Sequence, residues 1–364
     1  MILKSIRLYH YQLPLKKPFI IKGKALKIRE GLILEFKNES GQVGYGEIAP
    51  LPGISKETLK QAESQIQNLS EYLKSQSYAE KSHLHHGDLS QWRQDLDDLF
   101  PSVQMGIESA LLMLLASKQK KTIAQLLDQN PRPRVPVNGL AQGNLKELLR
   151  EVELLLQSGY QSIKLKLGSE ELSKDIEKVK QIDELIQDKA MLRLDINQSW
   201  NFDEAVDFVN EVGIRNIEYI EEPFKDIERI PDFFQQTLIP VALDESLRMH
   251  DWETIKHLEG AEIVVLKPMV LGGIDRTWEI ADLAHSQGMQ VIISSSFESA
   301  LGMYVNAQCS ASFAKGVTAG LDTGHFFQTD LLDGHALVEH AHIDLDHFPV
   351  SEIRLKKSGL KEVA

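Results

Sequence analysis

The most constraining feature of this sequence is a pattern that repeats from Arg134 onward, a short apolar run followed by a stretch with helical periodicity. Eight such runs occur at spacings of about 22–30 residues, and they begin at Val135, Ile163, Met191, Ile217, Pro240, Ile263, Val291 and Thr318. Helical patterns, such as residues 172–186 and 275–285, lie between them. Strands that alternate with helices predict right-handed βαβ units in a parallel sheet. Eight units favour a closed α/β barrel over an open sheet.

The N-terminal part of the chain has a different pattern, in which strands precede helices. Apolar and polar residues alternate over residues 2–13 and again over residues 31–36. A helix is predicted to begin with Ser55 as its N-cap, and a second helix covers residues 105–116. Strands followed by helices predict an α+β module.

These patterns divide the chain into three parts. We expect an α+β capping domain at residues 1–130, a barrel domain at residues 131–325 and a C-terminal segment at residues 326–364 that returns to the cap. The barrel domain is shorter than the ~250 residues typical of this fold. We therefore expect its last unit to be degenerate.

Composition narrows the class of partner. The chain has 53 acidic and 40 basic residues, and its net charge of −13 disfavours binding to nucleic acid or to an anionic membrane surface. Its longest apolar run without charge, residues 110–117, is far shorter than the ~20 residues of a membrane-spanning helix. Cys309 is the only cysteine, so no intramolecular disulfide can form and we expect a reducing, cytoplasmic compartment.

Acidic residues end three consecutive predicted strands of the barrel. Asp195, Glu221 and Asp244 end the third, fourth and fifth runs, and the carboxyl ends of barrel strands carry the catalytic groups in this fold. Three carboxylates that converge at one place repel one another unless a cation neutralises them. Because the set contains no histidine or cysteine, it predicts a hard ion with oxygen ligands, Mg²⁺ first and Mn²⁺ second.

Lysines lie on both sides of these acids. Side chains alternate faces along a strand, so Lys164 and Lys166 point toward the barrel axis, and Lys267 faces them from the sixth run. A like-charged neighbour and a nearby metal would lower the pKa of a lysine from about 10.4 toward the ~7–8 useful to a general base. One base, one opposing cation and one metal are the groups needed to remove a proton beside a carboxylate.

With these residues the sequence resembles the enolase superfamily, in its muconate-lactonizing branch. The motifs are Lys164-Leu-Lys166, Asp195-Ile-Asn197, Glu221-Glu-Pro223, Asp244-Glu-Ser246 and Lys267-Pro268, in that order and spacing. Further stretches resemble the o-succinylbenzoate synthase family in particular, at residues 29–32, 46–58, 294–302 and 320–323. The resemblance implies an α/β fold, an enolase-type modified (β/α)7β TIM barrel with an α+β capping domain.

The resemblance also implies a reaction. Members of that family are lyases that dehydrate 2-succinyl-6-hydroxy-2,4-cyclohexadiene-1-carboxylate to 2-succinylbenzoate in menaquinone or phylloquinone biosynthesis. The partner of this chain would then be a small-molecule carboxylate substrate. The metal would be Mg²⁺, with Mn²⁺ as a possible substitute, and its ligands would be Asp195, Glu221 and Asp244.

Roles for the other site residues follow from the same resemblance. Lys166 would be the base that removes the α-proton, and Lys267 would be the cation that stabilises the intermediate. A loop at residues 19–24 would close the site from the capping domain. The implied substrate contacts are Lys164, Ser295 and Gly320.

Two other functions are compatible with these residues. A racemase of N-acylamino acids, or an epimerase of dipeptides, would use Lys166 and Lys267 as bases on opposite faces of the substrate. Dipeptide epimerases of this superfamily usually carry an Asp-x-Asp pair after the eighth strand, whereas residues 320–323 contain the single acid Asp322, which favours the lyase. The third alternative is a non-catalytic barrel that binds a carboxylate ligand, and the presence of all three acids and both lysines disfavours it.

Overall fold

The computed structural model of the chain describes residues 1–21, 24–92, 96, 98–333 and 337–364. Its N-terminal part is built on the antiparallel strands β1 (Leu3–Ile21), β2 (Lys24–Asn38) and β3 (Val43–Ile48). In their register Tyr9 pairs with Ile33, and Leu34 pairs with Gly46. The strands predicted at residues 2–13 and 31–36 therefore belong to one sheet.

Four helices follow these strands among the described residues, and the first and third of them pack on the sheet. They are α1 (Leu59–Ser75), α2 (Asp88–Gln91), α3 (Pro101–Gln119) and α4 (Ile123–Leu127). Helix α3 packs on β3 and is buried along most of its length, because residues 110–116 are all apolar. Gly46 permits the close approach, since a β-carbon there would overlap the carbonyl oxygen of Gly106.

Helix α1 begins later than the sequence predicted. Thr58 is its N-cap, because the Gln61 N–H donates to Thr58 Oγ1 at 3.3 Å and the Thr58 N–H donates to Gln61 Oε1 at 2.9 Å. The Ser55 hydroxyl instead accepts a hydrogen bond from the Leu51 N–H at 2.9 Å. The predicted N-cap at Ser55 was wrong, because the reciprocal cap at Thr58 satisfies two backbone donors at once.

The second part of the chain is the barrel. After β4 (Arg134–Pro136), the described residues form a seven-stranded parallel sheet whose spatial order follows the chain. Its strands are β5 (Gly139–Ala141), β6 (Ser162–Lys166), β7 (Met191–Asp195), β8 (Ile217–Glu221), β9 (Val241–Leu243), β10 (Ala261–Leu266) and β11 (Gln290–Ile293). Each crossover returns to the neighbouring position, as expected of consecutive βαβ units.

Helices connect these strands. They are α5 (Leu145–Gln157), α6 (Leu172–Ile186), α7 (Phe202–Val212), α8 (Ile230–Thr237), α9 (Ser246–Met249), α10 (Trp252–Ile255), α11 (Pro268–Leu271), α12 (Gly273–Ser286) and α13 (Ala300–Phe313). Helix α6 has the bounds that its periodicity predicts, and α12 extends only slightly beyond its predicted range. Helical spacing of apolar residues therefore located the outer layer of the barrel.

The first and the last apolar runs differ from ordinary barrel strands. Strand β4 pairs outside the barrel with the antiparallel β12 (His342–Asp344). Within the last run, only residues 319 and 320 form isolated bridges, and there is no strand. They nevertheless bind both edges of the sheet: the Gly320 N–H donates to Ile293 O at 2.9 Å, and the Asn138 N–H donates to Ala319 O at 2.9 Å. The barrel is closed by this short eighth unit. The predicted fold class is confirmed.

The interior of the barrel is packed below its mouth. One apolar cluster consists of Tyr219, Ala242, Ile263, Val265 and Ile292, whereas the residues next to them on the strands pack against the helices. Arg193 crosses this interior, where its Nε donates to Glu218 at 2.8 Å and its Nη1 donates to Thr318 O at 2.7 Å. The floor of the site is therefore a filled core.

The C-terminal segment returns to the first sheet. Strand β13 (Leu360–Glu362) pairs with β1 in an antiparallel register in which Tyr9 faces Glu362. In the described part of the chain this sheet has the order β13, β1, β2, β3. None of the helices among the described residues has the length and apolar character needed to cross a membrane.

Candidate active site

A pocket at the carboxyl ends of the barrel strands contains most of the predicted site residues. Those that line it are Lys164, Lys166, Asp195, Lys267, Ser295 and Gly320. Glu221 and Asp244 are buried and contact two of these lysines, since Glu221 binds Lys164 and Asp244 binds Lys267. The structure brings all eight predicted residues together at one mouth of the barrel.

Asp195 and Glu221 lie side by side and share one lysine. They are register partners in β7 and β8, and Lys164 Nζ lies 2.9 Å from Asp195 Oδ2 and 2.7 Å from Glu221 Oε2. Burial alone would raise the pKa of Asp195, but Lys164, Lys166 and Lys267 hold that pKa below its usual value. The pKa of Glu221 is raised, first by burial and then by the charge of Asp195. The two carboxylates therefore repel each other in spite of the shared ammonium group.

The third acid, Asp244, contacts the ammonium group of Lys267. Among the described residues, no three acidic, histidine or cysteine side chains stand in a closed cluster of metal ligands. Two features of the acids nevertheless fit a divalent cation. Asp195 Oδ1 is buried and has no hydrogen-bond partner in the described structure, and Glu221 carries the unfavourable charge of its neighbour. Mg²⁺ and Mn²⁺ prefer such carboxylate oxygens, and an ion here would relieve both conditions.

Lys164 and Lys267 are held in their charged forms. Burial opposes the charge on Lys164, but Asp195 and Glu221 raise its pKa well above the usual value. Burial likewise opposes the charge on Lys267, and Asp244 raises its pKa. The lowered pKa that the lysine pair predicted is therefore not found at Lys164, because its carboxylate partners outweigh its lysine neighbour.

Lys166 is the least constrained of the three lysines. Its Nζ lies 3.7 Å from Asp195 Oδ2 and 3.4 Å from Asn197 Oδ1. Its side chain is 31% exposed, compared with 12% for Lys164 and 20% for Lys267. Lys166 is therefore the lysine most accessible to a molecule in the pocket.

Glu222 was not predicted from the sequence as a site residue, although it follows Glu221 in the motif Glu221-Glu-Pro223. Its carboxylate accepts hydrogen bonds from the Asp244 N–H at 2.8 Å, from the Ser246 N–H at 2.7 Å and from Gln198 Nε2 at 2.7 Å. Its φ of +47° lies in the left-handed region, which is unfavourable for a residue with a side chain. Glu222 therefore joins the end of β8 to the loops that follow β7 and β9.

The wall of the pocket between β11 and the eighth unit is polar. Ser295 Oγ lies 2.8 Å from both Glu298 Oε2 and Thr323 Oγ1. At Gly320 a β-carbon would collide with the Ser294 hydroxyl, so only glycine permits this close approach of the two segments. The wall combines hydroxyl groups with the backbone of Gly320, which no side chain covers.

Phe19 of β1 lies beside two residues that line the pocket, Phe297 and Lys166. Residues 22 and 23 of the loop predicted at residues 19–24 lie outside the described residues. The ring centroids of Phe19 and Phe297 are 4.4 Å apart, and Lys166 Nζ lies 5.5 Å from the Phe19 centroid. An aromatic side chain thus stands beside the accessible lysine.

Comparison with known families gives two matches. Residues 147–349 match the family described as enolase C-terminal domain-like, and residues 3–114 match the family described as MenC, N-terminal domain. The two matches fall on the barrel and on the N-terminal sheet with its helices.

Named relatives are similar over nearly the whole chain. The o-succinylbenzoate synthase of Haemophilus influenzae is 32% identical over 96% of this chain and 99% of its own length. The o-succinylbenzoate synthase of Aliivibrio fischeri is 33% identical over 90% of this chain and 93% of its own length. The similarity therefore includes both sheets.

Solved structures show the same architecture. The L-Ala-D/L-Glu epimerase of Bacillus subtilis superposes with a TM-score of 0.84 at 25% identity, over 94% of this chain and 96% of the epimerase. The muconate lactonizing enzyme of Pseudomonas fluorescens superposes with a TM-score of 0.86 at 21% identity, over 98% of this chain and 97% of that enzyme. The second likeness concerns the fold alone.

Proposed function

This chain belongs to the o-succinylbenzoate synthase family of the enolase superfamily, and from this premise we propose the reaction that it catalyses. It dehydrates 2-succinyl-6-hydroxy-2,4-cyclohexadiene-1-carboxylate to 2-succinylbenzoate, a step of menaquinone biosynthesis. The observation that carries the proposal is the position of two lysines. Lys166 ends β6 and Lys267 follows β10, so they stand across one pocket with the acids between them.

Lys166 is the base in this proposal. Its neutral amine removes the proton from the carbon that bears the substrate carboxylate, and the electron pair of the C–H bond moves into that carboxylate. The ammonium group so formed then gives the proton to the hydroxyl of the adjacent carbon, which leaves as water while the ring becomes aromatic. One group serves both steps because both occur on one face of the ring. The exposure of Lys166 to the pocket supports this role.

Lys267 and Lys164 supply positive charge. Lys267 faces Lys166 and stabilises the negative charge that develops on the substrate when the proton leaves. Lys164 contacts the substrate carboxylate and adds a second positive charge there. Both lysines line the pocket, which supports the assignment.

Asp195, Glu221 and Asp244 would hold Mg²⁺, with Mn²⁺ as a substitute. Held by these carboxylates, the ion would supply positive charge close to the substrate carboxylate. The buried, unpartnered Asp195 Oδ1 and the repulsion between Asp195 and Glu221 support this ligand set.

The succinyl arm of the substrate would lie against the polar wall. Ser295 places its hydroxyl group, fixed by Glu298 and Thr323, in this wall, and Gly320 leaves room for the arm because it has no side chain. Phe19 would cover the substrate from the N-terminal part. Both wall residues line the same pocket as the lysines, which supports the placement.

We place the reaction in the cytoplasm. Cys309 is the only cysteine of the chain, and it is fully buried in α13. The fold therefore needs no disulfide, as is usual in a reducing compartment.

The direct test is an ultraviolet assay of aromatisation. We expect the wild-type protein to convert the cyclohexadiene substrate to 2-succinylbenzoate. A panel of N-acylamino acids and dipeptides is tested for racemisation in parallel. Rapid racemisation of a dipeptide by a protein that leaves the cyclohexadiene unchanged would reject the lyase in favour of an epimerase.

An epimerase is the second candidate, because two lysines across a pocket can also act as two bases. The likeness to the Bacillus subtilis epimerase favours it. The acid after the eighth unit does not, because Asp322 accepts a hydrogen bond from the Tyr160 hydroxyl at 2.5 Å and has no second acid two residues before it. The lyase is therefore the better supported reaction.

Substitution of Lys267 separates the two mechanisms. Lys267→Arg keeps a cation beside Asp244 but cannot act as a base at ordinary pH. We expect this variant to retain dehydration within about 10²-fold of the wild-type rate and to lose two-base racemisation. The measurements are the aromatisation assay and exchange of the α-hydrogen of an N-acylamino acid in D₂O.

Lys267→Met is the matched control, since it has a similar length and no charge. We expect it to dehydrate at least about tenfold more slowly than Lys267→Arg, because the opposing charge is lost. Equal rates for the two variants would show that the charge of Lys267 has no part in dehydration.

A further inference from the structure

Arg29 lies on β2, far from the lysines in sequence. All the N–H groups of its guanidinium point to backbone carbonyl oxygens. The residue is 1% exposed. Within the N-terminal part of the chain, the Arg29 guanidinium donates to Glu30 O at 3.0 Å, to Pro50 O at 2.9 Å and to Ala49 O. Five N–H donors in a rigid fork can fix several carbonyl groups at once. Arg29 therefore joins its strand to the segment that follows β3.

The remaining donors of Arg29 reach the barrel. Its Nε donates to Phe297 O at 3.0 Å and its Nη2 lies 3.5 Å from Ser296 O. Both acceptors belong to residues 294–299, the segment between β11 and α13, which we call the pocket loop. Because Ser295 and Phe297 line the pocket, an arginine of the first sheet holds part of the pocket wall.

Phe297 has an unfavourable backbone conformation. Its φ of +60° lies in the left-handed region, where bulky residues are rare. Its N–H donates to Ser295 Oγ at 2.9 Å, and its carbonyl accepts the bond from Arg29. Such a conformation persists only when the surroundings impose it, and it is commonest at functional sites.

The conformation of Phe297 directs its ring into the pocket. The ring packs against Phe19 at 4.4 Å and against Phe326 at 5.9 Å between centroids. Phe19 is in turn the aromatic residue beside Lys166. A relaxed backbone at Phe297 would move the ring out of this aromatic group and shift Ser295 with it.

A second residue of the first sheet fixes the other end of the pocket loop. Glu47 accepts hydrogen bonds from the Ser299 N–H at 3.0 Å, the Ser299 hydroxyl at 2.6 Å and the Gly302 N–H at 2.9 Å. The end of the loop that enters α13 is therefore anchored independently of Arg29. Loss of Arg29 should affect Phe297 and leave the start of the helix in place.

We propose that Arg29 is a positioning residue for substrate binding, which holds Phe297 in its left-handed conformation and thereby shapes the wall against which the succinyl arm lies. Arg29 touches no reacting atom and acts through Phe297 and Ser295. The proposal rests on the proposed function, because the succinyl arm belongs to that substrate.

The test is a comparison of KM with kcat for Arg29→Lys and Arg29→Met. Loss of the fork should raise KM by about tenfold or more while kcat changes by less than about threefold, because the wall binds substrate and transition state alike and the lysines are untouched. Arg29→Lys keeps the charge without the fork, so it should resemble Arg29→Met if positioning is the cause. An unchanged KM in a folded variant, or a fall in kcat without a rise in KM, would overturn the proposal.

Asp275→Asn is the matched control. Asp275 lies on α12 and accepts hydrogen bonds from the Gly87 N–H at 2.9 Å and the Ser90 N–H at 3.0 Å, so it also joins the N-terminal part to the barrel. In the described part of the chain its carboxylate accepts hydrogen bonds from residues 87 and 90 and not from the pocket loop. We expect Asp275→Asn to lower the melting temperature without changing KM. If KM of Asp275→Asn rose as much as KM of the Arg29 variants, weaker contact between the N-terminal part and the barrel would explain both effects. That result would overturn the proposal.

A second experiment tests the proposal even if the Arg29 single variants do not fold. Phe297→Gly relieves the backbone conformation and removes the aromatic wall, so it should raise KM by about tenfold or more. Addition of Arg29→Lys to Phe297→Gly should raise KM by less than about a further twofold, because the two residues act through one structure. A wild-type KM in Phe297→Gly, or independent effects of the two substitutions, would overturn the proposal.

The outcomes also separate this proposal from the proposed function. If the wild-type protein does not aromatise the cyclohexadiene, the proposed function fails and the substrate of the pocket is another one. If the wild type is active and the Arg29 and Phe297 variants keep its KM, the function stands and the positioning role is wrong.

Discussion

Lys166→Ala is expected to lower kcat for dehydration by more than about 10⁴-fold, beyond the range usual for an assisting acid or base. Lys166 is the accessible lysine on its side of the pocket, whereas Lys164 and Lys267 are bound to carboxylates. With the amine removed, the neighbouring lysine of the described pocket, Lys164, cannot replace it, because its carboxylate partners hold it in the charged form. The measurement is single-turnover aromatisation at saturating substrate.

Lys166→Arg is the control for charge. It keeps a cation near Asp195 but cannot accept a proton, so it should be as inactive as the alanine variant. Because Lys166 is partly exposed, neither substitution should change the melting temperature much. If either folded variant kept more than about a hundredth of the wild-type rate, the assignment of the base would be wrong.

Removal of divalent cations is expected to abolish turnover, and addition of Mg²⁺ or Mn²⁺ should restore it. The reason is the set of buried carboxylates at the strand ends, where Asp195 Oδ1 has no partner among the described residues and Glu221 is repelled by its neighbour. Binding of the ion to the folded state should also raise the melting temperature, by an amount that grows with the logarithm of ion concentration above the Kd, a readout that needs no substrate. Full activity in excess chelator would remove the ion from the mechanism.

Asp244→Asn provides the matched variant for the metal prediction. It keeps the size of the side chain and removes one ligand charge, so more Mg²⁺ should be needed for half-maximal activity and for the rise in melting temperature. The residue follows β9 at the mouth, above the packed interior, so the barrel should remain folded. A variant with the wild-type Mg²⁺ requirement would exclude Asp244 from the ligand set.

Much of the fold could be predicted because the dominant signals are periodic. The apolar spacing in α6 located that helix with its bounds, and the repeat of apolar runs predicted the barrel. The N-cap of α1 was predicted wrongly because its position depends on a side-chain hydrogen bond at Thr58, which apolar spacing does not reveal. The degenerate last unit was expected from the short length of the barrel domain, and residues 319 and 320 form only isolated bridges.

The positions of the site residues were predictable because strand ends converge in a barrel. The electrostatics were not, because the pKa of Lys164 depends on how close two carboxylates come to it, and spacing along a strand does not reveal that distance. Glu222 was missed for a related reason. From sequence alone, an acid next to Glu221 could equally be a solvent-exposed side chain. Only the structure shows that the Glu222 carboxylate accepts four hydrogen bonds from backbone and side-chain groups.

The short eighth unit has a consequence for local opening of the barrel. Residues 319 and 320 are joined to the two sheet edges by a few backbone hydrogen bonds, to Pro136 and Asn138 on one side and to Ile293 and Ser295 on the other. Amide protons in such a seam exchange with solvent through small, local fluctuations, whereas those in the long ladders require larger ones. Because the seam carries Gly320 in the pocket wall, a molecule bound there would hold the two edges together. We therefore expect a ligand in the pocket to slow amide exchange at residues 319 and 320.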